Sequence, residues 1–104
     1  MNNIPRLNRV IDALENGKVT FSAFTPMDIT TAQVMAASQF DSVIYEGEHN
    51  PWDIVALGSC LQNMLDRRKI ADSGSIVPSV TPLVRVPVNG VERGQWHAKQ
   101  ALDT

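Results

Sequence analysis

One short segment, YEGEHNPWD at residues 45–53, places titratable side chains around a glycine. It holds the carboxylates Glu46 and Glu48 and the imidazole of His49. Histidine titrates near neutral pH and serves as a general acid or base, and nearby carboxylates can tune it or order metal-bound water. A histidine in such a loop is also often a surface or capping residue, so its position alone does not assign it to catalysis.

A second candidate is Arg85, in the apolar segment LVRVP at residues 83–87. Its planar guanidinium is a fixed cation with forked donors, which suits a carboxylate or a developing enolate. The simpler alternative is an arginine within a strand that forms an ion pair with Glu46 or Glu48. The catalytic interpretation requires that the side chains of Arg85 and His49 lie close enough to contact the same ligand.

Apolar periodicity and capping residues predict helices and strands in alternation. The predicted strands cover residues 19–25, 41–47 and 83–87. The apolar run from Val43 to Tyr45 predicts that the second strand is buried on both faces. Four helices are predicted. The first runs from about Pro5 to the residue before Gly17, and the second from Asp28 as N-cap to about Ser38. The third runs from Asn50 as N-cap, with Pro51 as its first residue, to about Leu65, and the fourth from Glu92 to about Leu102. Residues 67–82 are predicted to be a long connection, and residues 88–90 a turn.

This alternation predicts βαβ units and a parallel sheet, in which ligands bind at the carboxyl ends of the strands. His49 follows the second predicted strand and Arg85 lies in the third, so both are expected at that edge. Parallel sheets normally need helices on both faces or closure into a barrel. We therefore expect residues 1–104 to be a single partial domain, the first part of an α/β domain such as a (β/α)8 barrel of about 250 residues.

Composition limits the class of partner. Nine lysines and arginines against eleven aspartates and glutamates give a formal net charge of -2, so there is no electrostatic case for nucleic acid or an anionic membrane. The single cysteine, Cys60, is expected to be a small buried apolar residue. No apolar run approaches the roughly 20 residues that span a bilayer, and the N-terminus lacks a signal-peptide pattern, so a cytoplasmic location is expected.

Three other residues and one basic run have structural interpretations. Trp52 and Trp96 are expected to be packing residues on helices, and His97 is expected to be exposed without a partner. The basic run at residues 66–69 is expected at the C-terminal end of a helix, where cations suit the helix dipole.

Two segments, FDSVIYEGEHNPWDI at residues 40–54 and PLVRVPVNG at residues 82–90, carry a family resemblance. They resemble the metal-dependent pyruvate aldolases of the 4-hydroxy-2-oxoheptanedioate aldolase and 2-dehydro-3-deoxyglucarate aldolase family. In that family the second strand ends in Asp-x-Glu-His and the third carries Pro-x-Val-Arg. The similarity extends from residue 13 to residue 103. It implies that the chain forms the first three βα units of a (β/α)8 barrel, preceded by a helix.

The resemblance implies class II aldol cleavage of a 4-hydroxy-2-oxo acid to pyruvate and an aldehyde. It assigns three catalytic residues, with His49 as acid and base, Arg85 stabilising the pyruvate enolate, and Asp103 orienting the histidine. Glu46 and Glu48 would contact these catalytic residues and hold them in place without touching the substrate. The expected partners are therefore small molecules, a 2-oxo acid and an aldehyde.

The resemblance also implies a divalent ion, Mg²⁺, Mn²⁺ or Co²⁺, that acts as a Lewis acid. Its carboxylate ligands come from later strands in the family, so they are expected beyond Thr104. The chain alone is therefore expected to be an incomplete, inactive fragment, and the complete protein a homo-oligomer. Two departures stand out. The family's Asp is Glu46 here, and Ala23 stands near the place of a tryptophan that borders the substrate.

Two other functions fit the same sequence. One is a non-catalytic α/β fragment that associates with another chain, which the missing metal ligands favour. The other is an enzyme of the same superfamily, either a lyase that acts on a coenzyme A thioester or an enzyme that decarboxylates a 2-oxo acid. The Glu-His segment together with Arg85 favours an enzyme.

Overall fold

The computed structural model describes residues 4–87 and 95–104, which contain five helices and three strands. The helices are α1 (Arg9–Glu15), α2 (Ile29–Ala36), α3 (Ile54–Asn63), α4 (Arg67–Ser73) and α5 (Gln95–Asp103). The strands are β1 (Ser22–Thr25), β2 (Ser42–Glu46) and β3 (Thr81–Arg85). The predicted turn at residues 88–90 and the predicted helix start at Glu92 lie outside the described residues. None of the helices in the two described ranges is long and apolar enough to cross a membrane.

The three strands form one parallel sheet in the order β1-β2-β3. Helix α2 connects the first two strands, and helices α3 and α4 connect the second to the third. This arrangement confirms the predicted mixed α/β fold with a parallel sheet.

One face of the sheet packs against helices. Side chains alternate along a strand, so Val43 and Tyr45 of the central strand point to the same face. Both are fully buried, and they pack with Leu57 and Cys60 of α3. Burial of each large apolar side chain contributes about 1.5–3 kcal/mol, so this layer supplies much of the fold's stability. The central position of β2 explains why its apolar run, expected to be buried on both faces, is buried at most positions.

The opposite face of the sheet carries a different set of side chains. The register places Phe24, Ile44 and Leu83 side by side across the three strands. Phe24 is 56% exposed, and the other two are partly buried. Glu46 and Arg85 follow on the same face, at the carboxyl ends of β2 and β3. The candidate residues therefore stand at the end of an apolar row.

Helix α3 begins later than predicted, because Asp53 and not Asn50 is its N-cap. The Asp53 Oδ1 accepts a hydrogen bond from the Ala56 N–H at 3.0 Å. Asn and Asp cap equally well and Pro51 suits a first helical position, so the sequence did not separate the two starts. The later start leaves His49 in an irregular loop at the edge of the sheet.

Residues 67–73 form helix α4, which corrects the prediction of a long connection there. Asp66 caps this helix by accepting from the Lys69 N–H at 2.9 Å, and Gly74 ends it in the left-handed region with φ 71°. The basic run therefore opens a helix, so the expectation that it completes a C-terminal dipole is wrong. A helix of two turns gives too little apolar periodicity for the sequence to show it.

The first helix and first strand are shorter than predicted. Helix α1 begins at Arg9, because the Asn8 side chain accepts from two N–H groups of the first turn, so the start near Pro5 is wrong. Strand β1 begins at Ser22 and not at Val19, because its register with β2 starts there.

Candidate functional site

The carboxyl edge of the sheet brings together four of the predicted site residues, Glu46, Glu48, His49 and Arg85. Glu46 and Arg85 end neighbouring strands and are partners in the parallel register. Arg85 Nη2 donates to Glu46 Oε2, and the two side chains are 38% and 10% exposed, respectively. The contact is thus a half-buried ion pair, which is one of the two interpretations that the sequence left open.

Glu46 also organises the loop that follows β2. Its second carboxylate oxygen, Oε1, accepts from the backbone N–H groups of Glu48 at 2.6 Å and His49 at 3.1 Å. Hydrogen bonds to a charged acceptor are stronger than neutral ones. One side chain therefore holds both the guanidinium of Arg85 and the backbone that carries the histidine.

Glu48 lies between the two candidate catalytic groups. Its Oε1 is 3.0 Å from His49 Nε2 and 3.7 Å from Arg85 Nε. The histidine side chain is 73% exposed, so a ligand at this edge can reach the imidazole directly. The Glu48 contact gives the ring a preferred orientation, and solvent screening keeps that contact modest in energy.

Arg85 contacts all three strands of the sheet. Its Cζ lies 4.4 Å from the centre of the Phe24 ring, in cation–π geometry. Its Nε is buried and has no hydrogen-bond partner within the described residues. Because Glu48 Oε1 lies 3.7 Å from this buried nitrogen, the guanidinium is fixed by one ring and two carboxylates, and a ligand could reach only its terminal nitrogens.

Two residues beside Arg85, Gly47 and Trp52, were not predicted from the sequence to belong to the site. The Gly47 N–H donates to the Arg85 carbonyl oxygen at 2.8 Å, and the Trp52 ring packs on Gly47. A Cβ at Gly47 would lie 2.6 Å from Trp52 Cε3 and 2.7 Å from that carbonyl oxygen, so only glycine fits. The sequence feature that could have identified Gly47 is its position between two carboxylates in a strand-to-helix loop.

Trp52 also contacts helix α5. Its Nε1 donates to Gln100 Oε1 at 2.9 Å, and its ring meets the His97 ring edge-on at 5.2 Å. His97 is half-buried, so its predicted exposure is wrong. Trp52 packs as expected, although it precedes a helix instead of lying on one. Trp96 is 70% exposed, so its predicted packing role is wrong.

Asp103 is not brought to the other candidate residues. It is the last residue of α5 and is exposed, and no hydrogen bond or ion pair in the described part of the chain joins it to His49. Helix α5 packs against Trp52 through Gln100 and His97. The residue after it, Thr104, lies near α3, where a Cβ added at Gly58 would be 3.5 Å from the Thr104 side chain. Glu48 is the carboxylate that contacts the histidine.

The cluster does not form a divalent ion site. Among the described residues, no group of three or more His, Cys, Asp or Glu side chains is placed to hold a metal ion. Both oxygens of Glu46 are already bound, one to Arg85 and one to the backbone. The adjacent guanidinium would also repel a second cation. The ion that the resemblance implies therefore requires ligands other than these.

Neither family models, nor curated proteins, nor solved structures gave a match to this chain. The family resemblance consequently depends on the two sequence segments, and the function is argued from the geometry of the site.

Proposed function

We propose that this chain provides the enolate-binding part of a metal-dependent, class II pyruvate aldolase. The enzyme would cleave a 4-hydroxy-2-oxo acid to pyruvate and an aldehyde. One observation carries the proposal: the Arg85 guanidinium stands at the carboxyl edge of a parallel sheet, fixed by Glu46, with Glu48 and His49 beside it. Strand carboxyl ends are where α/β enzymes bind their substrates.

Arg85 is proposed to bind the pyruvate carboxylate and the enolate oxygen. Glu46 binds one terminal nitrogen, which fixes the plane of the guanidinium. Within the described residues the other terminal nitrogen, Nη1, makes no hydrogen bond, so its two protons remain available to a ligand. Donors that are fixed before charge develops stabilise that charge without reorganisation. This supports a 2-oxo acid as the substrate class.

His49 is proposed to be the base that starts cleavage. Its ring accepts the proton of the substrate's 4-hydroxyl, and the freed electron pair forms the aldehyde C=O as the C3–C4 bond breaks. The electron pair of that bond passes into the 2-oxo group and gives the enolate held by Arg85. The proton is then returned to C3, which yields pyruvate. The exposure of His49 and its contact with Glu48 support this role.

The proposed fold of the complete enzyme is a (β/α)8 barrel, to which the chain contributes three βα units. Two observations support it. The sheet is parallel, and the row of Phe24, Ile44 and Leu83 lies on the face away from α3, as the residues of a barrel interior do. The complete enzyme is also proposed to be a homo-oligomer and to bind a divalent ion. The ion would be held by residues outside the cluster of Glu46, Glu48, His49 and Arg85.

The test is pyruvate release by the complete barrel protein of which this chain is the proposed first part, called the intact protein from here on; the 104-residue chain alone is expected to be inactive. A 4-hydroxy-2-oxo acid is supplied with Mg²⁺, Mn²⁺ or Co²⁺, and pyruvate is measured by coupling to lactate dehydrogenase. Arg85→Ala is expected to lower kcat/KM by about 10²-fold or more, the value of an oxyanion donor. Arg68→Ala is the matched control, because the Arg68 side chain is 93% exposed and remote from the site. No pyruvate release with any of the ions, or equal rates in the two variants, contradicts the proposal. Release only from a coenzyme A thioester substrate identifies the thioester lyase instead.

A second candidate function is association with another chain without catalysis. The exposure of Phe24 on the sheet face away from α3 favours it. Sedimentation velocity combined with the release assay separates the two functions. An association module shows no turnover and dissociates when Phe24 is changed to Ser.

A further inference from the structure

Trp52 joins the carboxyl edge of the sheet to helix α5. On one side its indole is in contact with the Gly47 Cα, since a Cβ built there would lie 2.6 Å from Cε3 and 2.7 Å from Cζ3. On the other side its Nε1 donates to Gln100 at 2.9 Å, and its ring meets His97 at an interplanar angle of 76°. Two parts of the chain that are far apart in sequence therefore meet on one side chain.

Gly47 connects this indole to Arg85. Its N–H donates to the Arg85 carbonyl oxygen at 2.8 Å, and a Cβ at this position would meet both the tryptophan ring and that carbonyl. Gly47 also stands between Glu46 and Glu48, the two carboxylates beside the guanidinium. Residues 46–48 thus contact both the backbone and the side chain of Arg85, and Gly47 among them packs against Trp52.

We propose that Trp52 is the positioning residue for Arg85. The indole sets the place of residues 46–48, and through them the orientation of the guanidinium that binds the substrate. Trp52 does not touch the substrate in this account, and its effect passes through Arg85. The inference rests on the function proposed for Arg85. It also gives helix α5 a role, since Gln100 and His97 hold the indole in place.

The first test is an NMR measurement that needs no activity. Arg85 Nε is buried, so its proton is shielded from solvent exchange and gives its own ¹⁵N–¹H signal, identified by its loss in Arg85→Lys. Trp52→Leu is expected to shift this signal by more than its linewidth and to speed its exchange with water. Trp96→Leu is the matched control, because Trp96 is 70% exposed, and it should leave the signal in place. An unchanged signal in a folded Trp52→Leu protein overturns the proposal.

A milder pair of variants covers the case in which Trp52→Leu does not fold. Trp52→Phe keeps a ring against Gly47 and loses the indole N–H, and Gln100→Ala removes the acceptor of that N–H. Both are expected to shift the Arg85 signal in the same direction. If neither variant moves it, the proposal is wrong.

The second test asks whether Trp52 acts through Arg85. Oxalate, a planar dianion that resembles the pyruvate enolate, is titrated into the intact protein. Trp52→Leu is expected to weaken its binding by about 10- to 10²-fold, the effect of a small misplacement of a binding group. The same change is expected to have no further effect in an Arg85→Ala background. Equal losses in both backgrounds overturn the positioning role. If the unmodified protein does not bind oxalate, the proposed function fails, and the NMR signal still decides the role of Trp52.

Discussion

Glu46 lies directly opposite Arg85 in the register of β2 and β3, and their side chains form an ion pair on the open face of the sheet. The same glutamate accepts two N–H groups of the loop that carries His49. A simple surface pair would have neither its burial nor these added hydrogen bonds. The pair therefore links the stability of this edge to the placement of both candidate catalytic groups.

The Glu46 carboxylate is expected to stabilise the fold. Glu46→Gln keeps the side chain's size but removes the charge that faces Arg85, and should lower the free energy of unfolding by about 1–3 kcal/mol. Because Arg85 is partly exposed, the loss should fall below that of a fully buried pair. Urea unfolding measures it. Glu15→Gln is the matched control, since it breaks the exposed pair with Arg6 and should cost less than the Glu46 substitution. Equal losses in the two variants would contradict this account.

Removal of the proposed base should affect catalysis much more than folding. His49→Ala is expected to lower kcat for pyruvate-releasing cleavage by about 10²- to 10⁴-fold, the usual contribution of general acid and base catalysis. Thermal unfolding should change little, because the His49 side chain is mostly exposed. Asn50→Ala, in the same loop, controls for local disturbance. A His49→Ala protein with a kcat near that of the unmodified protein removes this residue from the mechanism.

The two possible starts of helix α3 can be separated by stability. Asp53→Ala removes the side chain that accepts from the Ala56 N–H, and should cost about 0.5–2 kcal/mol. Asn50→Ala should change the free energy of unfolding by less than about 0.5 kcal/mol, as for most exposed surface positions. Chemical unfolding of both variants gives the comparison. A larger loss at Asn50 than at Asp53 would restore the start predicted from the sequence.

The buried thiol of Cys60 should make stability fall at alkaline pH. Burial, with a smaller contribution from the charge of Asp28, raises the pKa of Cys60 above its ordinary value of 9.0. The thiol therefore loses its proton first in the unfolded chain. Its contribution to stability is complete below pH 9 and falls as pH rises from there through the folded-state value. Urea unfolding at pH 7.5 and 9.5 should show a steeper loss for the unmodified protein than for Cys60→Ala. Parallel losses would show that the thiol is not linked to folding.

The fold was predictable where local signals agree. The run through Val43 and Tyr45 predicted a buried strand, and Asp28 predicted the start of α2. Both are confirmed, with Val43 and Tyr45 fully buried and the Asp28 side chain accepting from Thr31. The start of α3 was not predictable, because Asn50 and Asp53 are equally good caps and tertiary packing chose between them. Helix α4 was missed because its seven residues carry little apolar pattern.

The site was predictable only in part. The predicted parallel sheet placed His49 and Arg85 at one edge, but the choice of Glu46 as the register partner of Arg85 depends on the stagger of β2 against β3. That stagger is set by packing across the sheet, which no local motif encodes. The contact of Trp52 with His97 depends on the docking of α5, a long-range event without a sequence signature.

The most direct test of the enolate role is hydrogen exchange into the pyruvate methyl group, followed by NMR in D₂O without any aldehyde. The intact protein with Mg²⁺, Mn²⁺ or Co²⁺ should catalyse this exchange, because enolate formation is the step assigned to Arg85. Arg85→Lys keeps the charge but loses the forked geometry, and it should lower the exchange rate by about 10²-fold. Arg68→Lys should exchange at the unmodified rate. Normal exchange in the Arg85→Lys protein would contradict the assignment of Arg85 as the enolate-binding group.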